Sequence, residues 1–213
     1  MTIEHDAITD PEIHEPKGAS TATSNTTYVS DGAGSGSWLE PEPKGASTAT
    51  AGMVYHADGA GSGTWVTPSY GGIYSHDSAI AVASIGTTIK KLEAFDADMV
   101  SNNITSAHAS AQITVITTGD YMINFQLTFA TTASGYAGNY EFHLYIDGVD
   151  SGLFECHRDM SGSSDEGSCS FSGIASFTAA EVLTVYVASD SGADTDDIVV
   201  NSAQLSVHLL RAT

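Results

Sequence analysis

The clearest pattern in the chain is the strict alternation of Tyr121-Met122-Ile123-Asn124-Phe125-Gln126-Leu127-Thr128-Phe129, where every odd position is large and apolar and every even position except Met122 is polar. A period of two places the odd side chains on one face, which is the signature of a half-buried antiparallel strand. From about residue 78 onward the same texture recurs between loops rich in Gly, Ser, Asn and Asp. It predicts strands at Ile80–Ile85, Ile89–Phe95, Gln112–Thr117, Tyr121–Thr131, Tyr140–Ile146, Gly152–Cys156, Ser170–Phe177, Leu183–Ala188, Asp197–Val200 and Ala203–Leu210. Short strands throughout and no helical periodicity predict an all-β domain over 78–213, an antiparallel β-sandwich of the jelly-roll kind.

The first third of the chain has a different organisation. Residues 15–41 and 42–68 are two copies of one 27-residue unit, identical at 18 positions. Each copy offers a short strand (Thr27-Tyr28-Val29 or Met53-Val54-Tyr55), a DGAGSG turn and a return strand with Trp38 or Trp65. This predicts one β-hairpin per repeat, because glycines permit the positive φ of tight turns. A lone hairpin is marginal in water. Two hairpins with one tryptophan each bury too little surface to offset chain ordering at roughly 1–2 kcal/mol per residue. The arm is therefore expected to lean on a partner surface, on its symmetry mates, or on both. Residues 1–14 form an acidic lead in which Ile8, Pro11 and Ile13 would face one surface if the backbone is extended, and the prolines of IHEPKG and LEPEPKG favour such a chain. Residues 69–77 read as a hinge or an incoming strand. The expected organisation is thus an anchoring peptide (1–14), tandem hairpins (15–68), a hinge (69–77) and a jelly roll (78–213).

Charge narrows the partners. The chain has six Lys and Arg against 26 Asp and Glu, a net charge of −20. Nucleic acid is not an expected partner, since phosphate binding rests on clustered basic residues. An anionic membrane surface is disfavoured for the same reason, and no apolar run of about 18 residues is present to span a bilayer. The start, MTIEHDAITDPEIHEPKG, has neither a basic nor an apolar signal region, so synthesis in a cytosol without secretion is expected.

No catalytic constellation stands out, and the chain is not expected to be an enzyme. The eight histidines (His5, His14, His56, His76, His108, His143, His157, His208) lack the helical spacing of a metalloprotease and are expected at the surface or facing a partner. The GAGSG runs lack the Lys-Ser/Thr of a phosphate loop, and no Gly-x-Ser-x-Gly elbow appears. No cofactor is expected, with one possible exception. Asp190, Asp194, Asp196 and Asp197 in SDSGADTDD read either as a calcium site, which needs several close carboxylates and carbonyls, or as a solvated acidic loop. Cys156 and Cys169 could bridge if LFECHRD and SCSFSGIASF are antiparallel neighbours around the intervening loop. Two reduced, packed cysteines are the other reading, and cytosolic reduction opposes a bridge during synthesis.

Two resemblances add to this reading. The run ITVITTGDYMINFQLTFATT, then YEFHLYIDGVDSG, EVLTVYVAS and the terminal QLSVHLLRAT resemble the C1q/tumour-necrosis-factor-like jelly roll. That likeness covers roughly 78–213 and implies trimers packed about a three-fold axis. The segment ITDPEIHEPKGAS…VYHADGAGSGTW, over residues 8–66, resembles tailed-bacteriophage capsid decoration and head-fibre proteins. It implies an arm that docks on the capsid shell and a β-domain that projects from it. Tyr28, Trp38, Tyr55 and Trp65 would then be the arm's apolar anchors, and Lys17 and Lys44, its only Lys or Arg residues, would pair with acidic groups on the major capsid protein, another head protein or a neighbouring arm. Packing inside each hairpin is the alternative role for the aromatics. The leading expectation is a homotrimeric virion protein on the capsid surface. The alternative is a tail-fibre protein that reads a host glycan through Tyr136, Tyr140 or the 161–168 loop. A secreted C1q-like module is a third reading, against which the missing signal segment speaks.

Overall fold

The computed structural model describes residues 27–30, 36–39, 52–57, 63–132, 137–162, 165–190 and 196–213. The chain divides into two compact units, Met1–Val66 and Thr67–Thr213.

In the first unit, β1 (Thr27–Ser30) pairs antiparallel with β2 (Gly36–Leu39), and β3 (Val54–Ala57) with β4 (Gly63–Val66). Tyr28 stands opposite Trp38, and Tyr55 stands opposite Trp65. Each repeat therefore forms one hairpin, and the duplication has kept its register.

Among the described residues, the second unit has eleven strands in two antiparallel sheets. They are β5 (Tyr70–Ile85), β6 (Lys90–Lys91), β7 (Ala97–Asp98), β8 (Ile104–Ala107), β9 (Gln112–Val115), β10 (Gly119–Thr131), β11 (Gly138–Ile146), β12 (Val149–Met160), β13 (Glu166–Phe177), β14 (Val182–Ser189) and β15 (Asp196–Ala212). One sheet runs β13-β10-β15-β5-β7, and the other runs β12-β11-β14-β9-β8 with β6 beside β14. Between β12 and β15 each successive strand crosses to the opposite sheet, which is the two-sheet wiring of a jelly roll. Helical structure among the described residues of this unit is limited to a 3₁₀ turn at His108–Ser110.

The alternation in β10 is realised side chain by side chain. Tyr121, Ile123, Phe125, Leu127 and Phe129 are all buried, while Met122, Asn124 and Gln126 are exposed on the other face. Phe125 meets Phe171 of its own sheet at 4.8 Å and Phe142 of the opposite sheet at 6.2 Å, between ring centres. Phe129 packs edge-on against Tyr140 and Phe142. These tilted and edge-to-face contacts are the favoured ring geometries and fix the two sheets against each other. Asp147 and Gly148 join β11 to β12 with both residues at positive φ (50° and 78°), as a two-residue Asp-Gly hairpin turn requires.

Several elements differ from the sequence expectation. Residues 70–77, for which a hinge and an incoming strand were both open, are strand and form the first half of a single β5 that continues to Ile85, and the compact head begins at Thr67. The alternation is hidden there because Asp77 and Ala79 turn to positive φ and the pairing with β15 jumps from His76 to Ile80. The expected strand Ile89–Phe95 contracts to β6, and the two expected carboxy-terminal strands merge through a bulge into β15. LFECHRD and SCSFSGIASF are not neighbours in one sheet: β12 edges one sheet and β13 edges the other. Cys156 and Cys169 nevertheless meet across that side and form a disulfide, with Cα atoms 6.0 Å apart.

Candidate functional site: an uncharged sheet face

The outward face of the β13-β10-β15-β5 sheet is ordered into cross-strand rows. Ile174, Met122, His208 and Tyr70 form the first; Ser172, Asn124, Ser206 and Gly72 the second; Ser170, Gln126, Gln204 and Tyr74 the third; Ser168, Thr128, Ser202 and His76 the fourth. None of these positions carries Asp, Glu, Lys or Arg, on a chain of net charge −20.

The first row is the most apolar. Ile174 is 61% exposed and Met122 40%, and the Tyr70 ring stacks on His208 at 6.3 Å between centres. Beyond it the face ends at an ion pair, where the Arg211 guanidinium donates to Asp120 at 2.8 Å. The Ser176 hydroxyl also donates to Asp120 at 2.6 Å, and this bond together with the nearby guanidinium holds that carboxyl below the usual carboxylate range. The lower rows are concave. Asn124, Gln126, Ser170, Ser172, Gln204 and Ser206 line a depression of about 420 Å³. A neighbouring one of about 670 Å³ adds Tyr74, His76, Thr128, Ser168 and Ser202 and reaches Cys156 and His157 at its rim. Where Gly72 enters the face, the Met99 sulfur and Ser206 fill the place of a side chain: a Cβ would lie 2.7 Å from that sulfur and 2.5 Å from the Leu205 carbonyl oxygen.

Such a surface has the chemistry of a protein interface. Amides, hydroxyls and aromatics satisfy hydrogen bonds and bury area without desolvating a charge, and depletion of charge marks interface cores. Of these residues the sequence named only His76 and His208, among the histidines expected at the surface or facing a partner. The available signal was the even register of β10 and β15, where Asn124, Gln126, Thr128, Ser202, Gln204 and Ser206 occupy solvent positions in an acidic chain yet carry no charge.

The residues that the sequence did single out are placed as follows. Ile8, Pro11, Ile13, Lys17 and Lys44 lie outside the described residues, as do Asp194 and Tyr136. Tyr55 and Trp65 meet edge-on, with ring centres 5.3 Å apart, so these two aromatics pack within their own hairpin. The remaining aspartates of the possible calcium site are committed to separate partners. Asp190 accepts the Asn139 backbone N–H at 3.1 Å, buried Asp196 accepts the Ser189 hydroxyl at 2.9 Å, and Asp197 accepts the Ser84 backbone N–H at 2.9 Å. Tyr140 is fully buried against Phe129, which removes it from any glycan-reading surface.

No protein-family model matches the chain, and no curated protein matches it. Among solved structures, the chain is similar to Eiger TNF from S. frugiperda (11% identity, TM-score 0.48, covering 68% of this chain and 95% of that one). Murine APRIL at pH 5.0 gives 14% identity and a TM-score of 0.48, covering 68% of this chain and 100% of that one. The globular domain of zebrafish complement 1qA protein gives 11% and 0.49, covering 68% and 99%. The jelly-roll architecture stands on the strand order itself.

Proposed function

We propose that the chain is a structural virion protein that decorates a bacteriophage capsid, as a decoration or head-fibre protein. Three copies associate through the uncharged sheet face, and their repeated amino-terminal arms anchor the assembly to a head protein. The observation that carries the self-association is the absence of charge from that face. Copies that each carry −20 repel one another wherever acidic surfaces meet, and a surface free of Asp and Glu lets them approach without bringing carboxylates together. The number three is what the resemblance of residues 78–213 to the C1q/tumour-necrosis-factor-like group implies.

The capsid assignment is supported by the resemblance of residues 8–66 to decoration and head-fibre proteins and by the tandem repeat. Three arms joined through one head engage a shell at high effective concentration, so weak individual contacts give lasting attachment. The acidic residues left outside the self-association face keep released particles soluble and apart. Immunogold electron microscopy of particles from the source lysate, with antibody to residues 78–213, tests the reading. Gold distributed over the head is the expected result. Gold confined to the tail transfers the protein to receptor binding, and unlabelled particles overturn the virion assignment.

A further inference from the structure

The head is polarised along its strands. Strand register places the loops 99–103, 116–118, 147–148 and 178–181 at one end, which is also where the chain enters through Thr67 to Tyr70. Val100, Ile116 and Val149 stand out at this entry end, 84%, 49% and 69% exposed. The far end is acidic, with Asp165, Glu166, Asp190, Asp196 and Asp197 flanking its loops. Among the described residues, none of the exposed large apolar side chains lies at that far end. Carboxylates near the entry end are taken by local partners: Asp147 accepts the Val182 backbone N–H at 2.9 Å, Glu181 accepts the Thr178 backbone N–H at 2.9 Å, and Asp120 is paired with Arg211.

The loops of the entry end are tied into one platform. The Ala180 N–H donates to the Val115 carbonyl at 2.8 Å, the Val115 N–H to the Glu181 carbonyl at 3.1 Å, and the Asp147 N–H to the Val182 carbonyl at 2.9 Å. Asn103 Nδ2 donates to the hydroxyls of Thr117 at 2.6 Å and Ser69 at 2.7 Å, while Asn102 Nδ2 donates to the Pro68 carbonyl at 2.6 Å. The point at which the chain enters is therefore fastened to the loops that carry Val100 and Ile116. A surface already fixed in this way loses little further freedom on binding.

We propose that this entry end is a second docking surface, which seats on an apolar, uncharged patch of the same shell protein that the arm grips. The inference rests on the capsid reading given above. Two observations choose that occupant. Residues 1–66 join the head here, so an arm anchored on a surface tethers this end, and not the acidic one, to that surface. A short tether gives the second contact an effective concentration in roughly the millimolar range, so a contact too weak to hold a free head adds to the hold of an anchored one. The chemistry of the patch supplies the other. The four loops contain no Lys or Arg, and Arg211 is already paired, so an acidic surface finds no counter-charge; exposed aliphatic side chains with polar neighbours mark an apolar contact.

The test is co-sedimentation of the full chain, over a range of concentrations, with bacteriophage particles that lack it, read as an apparent Kd. Circular dichroism checks the folding of each variant, and light scattering gives its mass. Val100→Glu and Val149→Glu change largely exposed side chains and leave the core intact. Each is expected to raise the apparent Kd at least about 10-fold. Thr87→Glu, which adds the same charge at an exposed position of the far end, is expected to leave it unchanged. Undiminished binding by Val100→Glu and Val149→Glu overturns the proposal while the capsid reading stands, whereas absence of binding by the unaltered chain overturns both. An unaltered chain heavier than three copies, brought down to three by Val100→Glu, assigns the surface to pairing between heads and likewise overturns the proposal.

Discussion

Cys156, on the edge strand of one sheet, is bonded to Cys169, on the edge strand of the other, so the disulfide closes one open side of the sandwich. It links positions thirteen apart and restricts the unfolded chain accordingly. A loop of that size corresponds to about 3 kcal/mol of stabilisation in the chain-entropy account. Reduction, or the Cys156→Ser/Cys169→Ser double substitution, is expected to lower the free energy of unfolding in urea by that amount, and the midpoint with it, while leaving a β-rich circular dichroism spectrum. Coincident unfolding curves with and without reductant contradict the account.

Acid is expected to weaken the head through two half-buried carboxylates. Asp165 accepts the Ser161 backbone N–H at 2.7 Å and the Ser161 hydroxyl at 2.9 Å, and these bonds lower its pKa. Asp120 is lowered by the Ser176 hydroxyl and by Arg211. A carboxyl whose folded pKa lies below its unfolded value binds fewer protons when folded. Its stabilising effect is therefore complete above the unfolded value of about 4 and is lost as the pH falls through the folded value. Melting temperature should fall with pH in that acid window, and Asp120→Asn combined with Asp165→Asn should flatten the slope there. An unaltered slope in the double variant would exclude these two groups.

The aromatic cluster carries the largest single-residue effect expected in the head. Phe125 is 1% exposed and bridges Phe171 of its own sheet and Phe142 of the opposite sheet. Phe125→Ala removes a ring from that contact and should cost about 3–5 kcal/mol in denaturant unfolding. A loss under about 1 kcal/mol would mean that the sheets are held together elsewhere, since one buried methylene is already worth roughly that much.

Attachment is expected to reside in the arm. A chain lacking residues 1–66 should retain the head's circular dichroism and fail to sediment with particles that bind the full chain. Retained binding would assign attachment to the head.

Much of the head was legible in the sequence because period-two burial writes itself directly into β10, β11 and β13. The repeat likewise disclosed both hairpins, since identical residues 27 apart fold to an identical register. The first half of β5 was hidden because left-handed residues at Asp77 and Ala79 break the alternation, although the strand resumes beyond them. The pairing of Cys156 with Cys169 was legible as a proximity, but its geometry depended on a crossover between sheets that local pattern does not encode. The uncharged face depends on which strands lie side by side.

The most direct test of the central claim is the solution mass of the full chain by light scattering, compared with an Asn124→Glu variant. Asn124 is exposed at the middle of the uncharged face, between Ser172 and Ser206, so a glutamate there puts a carboxylate into each copy's contact. Thr105→Glu, an exposed substitution on the other sheet, serves as the control. The wild type and the control should run at three times the 22.0 kDa chain mass, and the Asn124→Glu variant should run at the mass of one chain. A monomeric wild type, or a trimer that survives Asn124→Glu, contradicts the account.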